Sequence, residues 1–312
     1  MSLLEQLPQA SASGHETFTP RYGWVTKGYR CAVADPGAFN AADAIERLGV
    51  GKNMVRSIRF WCLAFHVLQY EGDGGRGTSK SKLAPTKLGD SLLKQDGWDP
   101  FLEDPASLWL LHWQLFVPPF HAASWSLAFN HNSSTSFDHR QLRSALVTAA
   151  QHYPGLGKLS GKSFERDASC LVRMYAPASG RRRSEITCPF TELGLVRGTG
   201  ADHAYAFSLE PKRALPSMIF LASCFSHAVC TQPTQRSLSL QKIAYDFNSP
   251  GVAFKISETE AGRHLERATS QLREVGIDGV YFTEALGNRL LQFDRSPDEL
   301  YWDTLTCYYN HR

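Results

Sequence analysis

The stretch FNAADAIERLGVGKNMVRSIRFWCLAFHVLQY, residues 39–70, decides the fold reading. Asn40 offers a cap for a first helix, and Gly49-Val50-Gly51 interrupts the pattern before a second. Two helices joined across so short a turn have helix-turn-helix spacing. In the second, Val55, Ile58, Cys62 and Phe65 recur at helical intervals with Met54 and Trp61 beside them, which defines one apolar face. Lys52, Arg56 and Arg59 fall on a different face, with Asn53 at the helix start. Downstream, the glycine-rich EGDGGRGTSKSK (71–82) leads into LAPTKLGDSLL (83–93), a pattern that predicts a wing hairpin and a further helix from about Thr86. Residues 1–95 therefore read as an N-terminal arm and a winged-helix-like DNA-binding domain.

Residues 96–185 read as a helical connecting region. DPFLEDPASLWLLHWQLFVPPF (99–120) has an acidic start, an apolar run and a stop at Pro118-Pro119. Asp138 can cap a helix over 139–152, and 164–176 predicts another. From 186 to 312 the first pattern returns: a short helix near Leu240 to Phe247, a turn with Asn248 and Pro250-Gly251, and a longer helix whose start Ser257 and Glu260 would fix as a capping box. GVYFTEALGNRLLQF (279–293) then alternates like a hairpin. The expectation is a mainly α chain with small β-hairpins (α+β), two winged-helix-like modules joined by a helical region.

Composition narrows the classes. Across 312 residues, 43% hydrophobic and 20% charged content exclude disorder as the main state. The most apolar segment, Leu215 to Cys230, contains Pro216 and His227 and falls short of the roughly 20 residues of a membrane span, so a buried helix is expected and no membrane partner. The start, MSLLEQLPQASASGHE, lacks a basic region followed by an apolar run, which gives a cytoplasmic expectation. Seven cysteines without C-x-x-C spacing fit reduced thiols and exclude a common zinc pattern. A net charge of +3 is too mild for a global polyanion argument, so nucleic-acid contacts must form local patches.

Motif searches remove several chemistries. Walker A requires glycine where Glu46 and Leu156 stand ahead of the two Gly-Lys pairs. There is no G-x-S-x-G elbow and no H-E-x-x-H helix. Asp202 with Glu210 and Lys212 imitates a nuclease D…E-x-K site, but the intervening Pro211 favours a hairpin end. His131, Asn132 and His139 imitate a histidine-metal nuclease, and polar loop residues before a helix explain them equally well. The densest polar cluster is 14–30, where His15, Glu16, Arg21, Lys27 and Arg30 alternate with Phe18, Tyr22, Trp24 and Tyr29. Such a set can stack bases and hold phosphates, or simply pack an arm on the helices. Asp99, Glu103 and Asp104 suit either a metal or a helix start. Lys52, Asn53, Arg56 and Arg59, with Arg76 in the wing and Arg181 and Arg182 in a basic loop, are the expected DNA contacts.

The strings GHETFTPRYGWVTKG, GVGKNMVRSIRFW, LEDPASLWLLHWQL, FERDASCLVRMYAP with CPFTELGL, and NSPGVAFKISE resemble, in the same order over nearly the whole chain, the bacterial SspB family. The resemblance implies a DNA-nicking component of a single-strand phosphorothioation and phage-defence system. It also implies partners: double-stranded DNA, a cysteine desulfurase, an ATPase and an ATP-pyrophosphatase-like sulfur-transfer enzyme. Hydrolysis of a phosphodiester would use Mg2+ or Mn2+ held by carboxylates, for which Glu16, Glu103 and Asp104 are the candidates. His15 and Glu16 are then expected at the cut phosphate, with Arg21 and Lys27 stabilising its charge. The competing expectation is a winged-helix scaffold that recruits sulfur-transfer enzymes and cuts nothing.

Overall fold

The computed structural model describes residues 13–72, 81–131, 134–153, 155–156, 159–177, 188–200, 203–285 and 287–311. Helices make up 54% of the described residues and the sheets are small and antiparallel, so the mainly α expectation with small hairpins holds. Helix α1 (Trp24–Ala34) is followed by α2 (Ala44–Leu48), α3 (Lys52–Ala64) and a short hairpin of β1 (Leu68–Tyr70) with β2 (Leu83–Pro85). Gly49 closes α2 at φ 60°, a left-handed turn that glycine takes without a Cβ clash, and Gly51 opens α3. Asn40 does not cap α2. It ends a 3-10 turn, and its side-chain amide donates to the Ser81 carbonyl at 2.7 Å, which ties the turn to β2 instead.

Helices α4 (Lys87–Leu93), α5 (Pro105–Gln114), α6 (Ala123–His131), α7 (His139–Ala150) and α8 (Gly161–Tyr175) form the middle of the chain. Asp138 caps α7 as expected, in a full capping box with Gln141. A hairpin of β3 (Val196–Gly198) and β4 (Tyr205–Phe207) precedes α9 (Ser217–Thr231), the expected buried apolar helix; among the described residues no helix is long and apolar enough to cross a membrane. Then come β5 (Ser237–Ser239), α10 (Leu240–Tyr245), α11 (Pro250–Phe254), α12 (Glu258–Glu274), β6 (Val280–Ala285), β7 (Asn288–Phe293) and α13 (Pro297–Asn310). The last three strands form one sheet in the order β5-β7-β6.

Two local expectations change. The turn around Pro250 winds into α11, because the Ser249 side chain accepts from the Val252 amide and Pro250 suits a first helical turn. Only half of the second capping box forms: Ser257 accepts from the Glu260 amide at 3.2 Å, while the Glu260 carboxylate turns to Arg263 at 3.1 Å.

A single hydrophobic core runs from Trp24 to Tyr309 through all three expected regions. Polar bonds cross the regions as well. Ser107 meets the Tyr309 hydroxyl at 3.0 Å, and the His112 ring bridges the Tyr175 hydroxyl and the Ala253 carbonyl. In the core next to the N-terminal loop, Trp61 stacks on Phe65 and meets Trp125 edge-on at 5.4 Å.

Candidate nucleic-acid interface

The loop before α1 is fixed by its own sequence. At Gly14 a Cβ would stand 2.5 Å from the Phe60 ring, so only glycine passes so close to α3. Glu16 and Thr17 then take positive φ, 48° and 68°, conformations unfavourable for a β-branched threonine and held only when the surroundings over-determine them. His15 supplies that restraint. Its Nε2 lies 2.8 Å from Asp167 Oδ1 on α8, and its Nδ1 accepts the Thr17 amide at 3.1 Å, which puts the ring proton on Nε2. Ser124 on α6 donates to the other Asp167 oxygen, and Phe60, Trp61 and Trp125 surround the imidazole. Arg173 on α8 completes the clamp by donating to the Thr17 carbonyl at 2.6 Å.

The clamp decides where the expected catalytic residues lie. His15 is fully buried with both nitrogens engaged, so it is not at a surface phosphate; it positions the loop. Glu16 is directed outward, 36% exposed, with Oε1 3.6 Å from the Arg56 guanidinium of α3. Arg21 is not brought to Glu16: its guanidinium lies over the Phe18 and Trp24 rings at 5.7 and 5.2 Å. Lys27 is not brought there either, because its ammonium donates to the Leu48 carbonyl at 3.1 Å and so holds the C-terminus of α2.

On α3, Lys52, Asn53 and Arg56 are exposed side by side near the helix start. Arg59 is turned aside. It donates to the Ser81 hydroxyl at 2.7 Å with its guanidinium 5.7 Å from the Tyr70 ring, bracing the hairpin. Arg76, Arg181 and Arg182 lie outside the described residues, as do Asn132 and Asp202.

Glu103 and Asp104 lie at the start of α5. Buried Asp99 accepts from both of their amides and from the Ser107 hydroxyl, while Asp104 caps α5 through the Ala106 amide and takes the Tyr308 hydroxyl. This is carboxylate chemistry spent on a helix start. Among the described residues no three His, Cys, Asp or Glu side chains converge as metal ligands. The other two imitations dissolve in the same way: His131 bonds the Tyr153 hydroxyl and His139 packs edge-on against Tyr205. Lys212 is buried with its ammonium turned onto the Ser208 and Glu210 carbonyls, and burial pushes it down to about 8.

Asp167 and Arg173 were missed as functional positions. Asp167 had a visible signal, since it shares the apolar stripe of α8 with Phe164, Ala168 and Leu171, where an unpaired carboxylate would be costly. Arg173 had none, because an exposed helical arginine is common.

Residues 12–309 match the family described as a protein of unknown function, DUF4007, and the chain belongs to that family. Among solved structures, an SspB crystal structure is 34% identical, with a TM-score of 0.87 and coverage of 98% of this chain and 90% of that one. A magnesium ion-bound SspB crystal structure matches at the same identity and TM-score, covering 99% and 91%. The chain is thus an SspB-like protein. No curated protein sequence matches it.

Proposed function

We propose that this protein binds double-stranded DNA and nicks it within a phosphorothioation and phage-defence system, acting beside the cysteine desulfurase, ATPase and ATP-pyrophosphatase-like proteins of that system. The observation that carries this reading is the exposed Glu16 carboxylate held against Arg56, on the basic outer face of α3, by a loop clamped from beneath. On this reading α1, α2, α3 and the β1–β2 hairpin form a winged helix. Lys52 and Arg56 meet phosphates and Asn53 faces base edges in the groove. The unit from α9 to β7, in which α9, β5, α10, α11 and α12 precede the β6–β7 hairpin, is read as a second winged helix.

For cutting, Glu16 would take a proton from the attacking water as that oxygen bonds to phosphorus, and Arg56 would stabilise the charge that develops on the phosphoryl oxygens as the leaving oxygen departs. Among the described residues no three His, Cys, Asp or Glu side chains form a ready-made metal site, and Glu16 is the exposed carboxylate that would hold a magnesium ion together with substrate phosphates.

The second reading, a DNA-bound scaffold that recruits sulfur-transfer enzymes, is favoured by that lack of converging ligands among the described residues. Supercoiled plasmid incubated with the pure protein and Mg2+, Mn2+ or EDTA separates the two. A nickase yields open circles, and Glu16→Gln slows their formation by about 100-fold, the usual scale of a lost general base. Plasmid that is bound but never opened leaves the scaffold.

A further inference from the structure

We infer that the exposed stripe of α8 is a phosphate-binding track that continues the α3 surface and receives the backbone of the same DNA duplex. The inference rests on the DNA-binding reading and extends it to residues on a different element. Lys162, Glu165, Arg166, Ser169 and Arg173 follow one another at helical intervals along the outer face of α8, opposite the buried side that carries Asp167. Together with Thr17 they line a cleft of about 480 Å³. Its three cations face one carboxylate, and among the described residues Lys162 and Arg166 make no ion pair with any acid.

Helix stability does not account for this charge. Lys162 and Arg166 sit in the first turns of α8, the end where the helix dipole disfavours cations. Internal pairing does not account for it either, unlike Arg263 and Arg289 of the C-terminal unit, which meet carboxylates. An external polyanion does. The track is also joined physically to α3: Thr17 borders the cleft, Arg173 holds the Thr17 carbonyl, and the next residue back, Glu16, reaches Arg56. From Lys162 to Arg173 the helix rises by about 16 Å, long enough to follow several nucleotides of one strand at roughly 3.4 Å of rise each. A duplex seated on α3 would therefore be held along a second line on the far side of Glu16.

The test is the salt dependence of binding to a fluorescent mixed-sequence DNA duplex, measured by anisotropy with parent, Lys162→Ala/Arg166→Ala, Lys52→Ala/Arg56→Ala and Glu165→Gln proteins. Loss of two phosphate contacts should make the slope of log K against log salt shallower by about 1.8, which near 0.1 M salt is an affinity loss of about 60-fold. The α8 residues are exposed, so the melting temperature of that variant should match the parent. Glu165→Gln should tighten binding severalfold at low salt, a gain that damaged folding cannot produce. If the parent binds and Lys52→Ala/Arg56→Ala weakens it, while Lys162→Ala/Arg166→Ala keeps the parental slope, the track is overturned alone. A parent that binds no duplex overturns the track and the DNA-binding reading together.

Discussion

The α2–α3 region and the α10–α12 region each lead into a hairpin strand pair, and they differ in how their exposed arginines are partnered. On α3 the exposed cations Lys52 and Arg56 have, among the described residues, one acidic partner, Glu16, contributed from outside the helix. On α12 Arg263 pairs with Glu260 at 3.1 Å, while Arg289 of β7 meets Glu266 at 2.8 Å and Glu284 at 3.7 Å. Arg263 and Arg289 are thus each held by a carboxylate of their own unit, whereas Arg56 meets one that comes from the N-terminal loop. On the proposed DNA-binding reading, the exposed Lys52 and Arg56 are what gives the first region the electrostatic footprint of a phosphate binder.

The strongest way to break this contrast is beneath the N-terminal loop. Asp167→Ala leaves buried His15 and the Ser124 hydroxyl without their carboxylate, and should cost about 3 kcal/mol of stability in denaturant unfolding. A loss under about 0.5 kcal/mol would mean that the clamp does not hold the loop. Next in size, Lys52→Ala/Arg56→Ala should weaken duplex binding by about 2.4 kcal/mol near 0.1 M salt, from two lost phosphate contacts; an unchanged salt slope would remove α3 from the interface.

Acid should act on the buried histidines of the C-terminal unit, as it does on His66 and His112, which burial also holds near 4. Burial holds His227 near 4, and His264 is also held below the ordinary histidine value by burial. Because their folded values are depressed, the unfolded chain binds more protons as pH falls below about 6.5. Stability is thus fully present above that pH and is lost toward pH 4, with a slope of up to about 1.4 kcal/mol per pH unit from His227. Unfolding measured at pH 7 and pH 5 should show a shallower loss for His227→Gln; an equal loss would place the acid sensitivity elsewhere. Smallest of all, Arg263→Ala/Arg289→Ala should leave DNA affinity within about 0.3 kcal/mol of the parent, since both arginines are held by carboxylates of their own unit and offer little to phosphate. A loss comparable to that of the α3 variant would erase the contrast between the regions.

The sequence displayed the elements better than their partners. Helical period and glycine turns were enough to place α2, α3, α7, α8 and the two terminal hairpins, because local chemistry fixes those features. Asn40 and the turn at Pro250 went differently because a distant carbonyl and a proline-primed helical turn competed with the local reading. The site was legible as the string GHE but not in its division of labour. Nothing near His15 in the chain announces an aspartate on α8, and that contact turns an apparent catalytic histidine into a support while leaving its neighbour Glu16 at the surface. Arg21, Lys27 and Arg59 had the right charge for phosphate, and nearby rings, a helix end and a serine engaged them first.

The clamped loop has a thermodynamic consequence. Ordering a flexible backbone on binding costs about 1–2 kcal/mol per residue in lost conformational entropy. Here Glu16 and Thr17 already occupy their unusual dihedrals, fixed through His15, Asp167 and Arg173. That cost is met when the chain folds, so a ligand arriving at Glu16 finds the carboxylate in place and keeps the full strength of each contact it makes there.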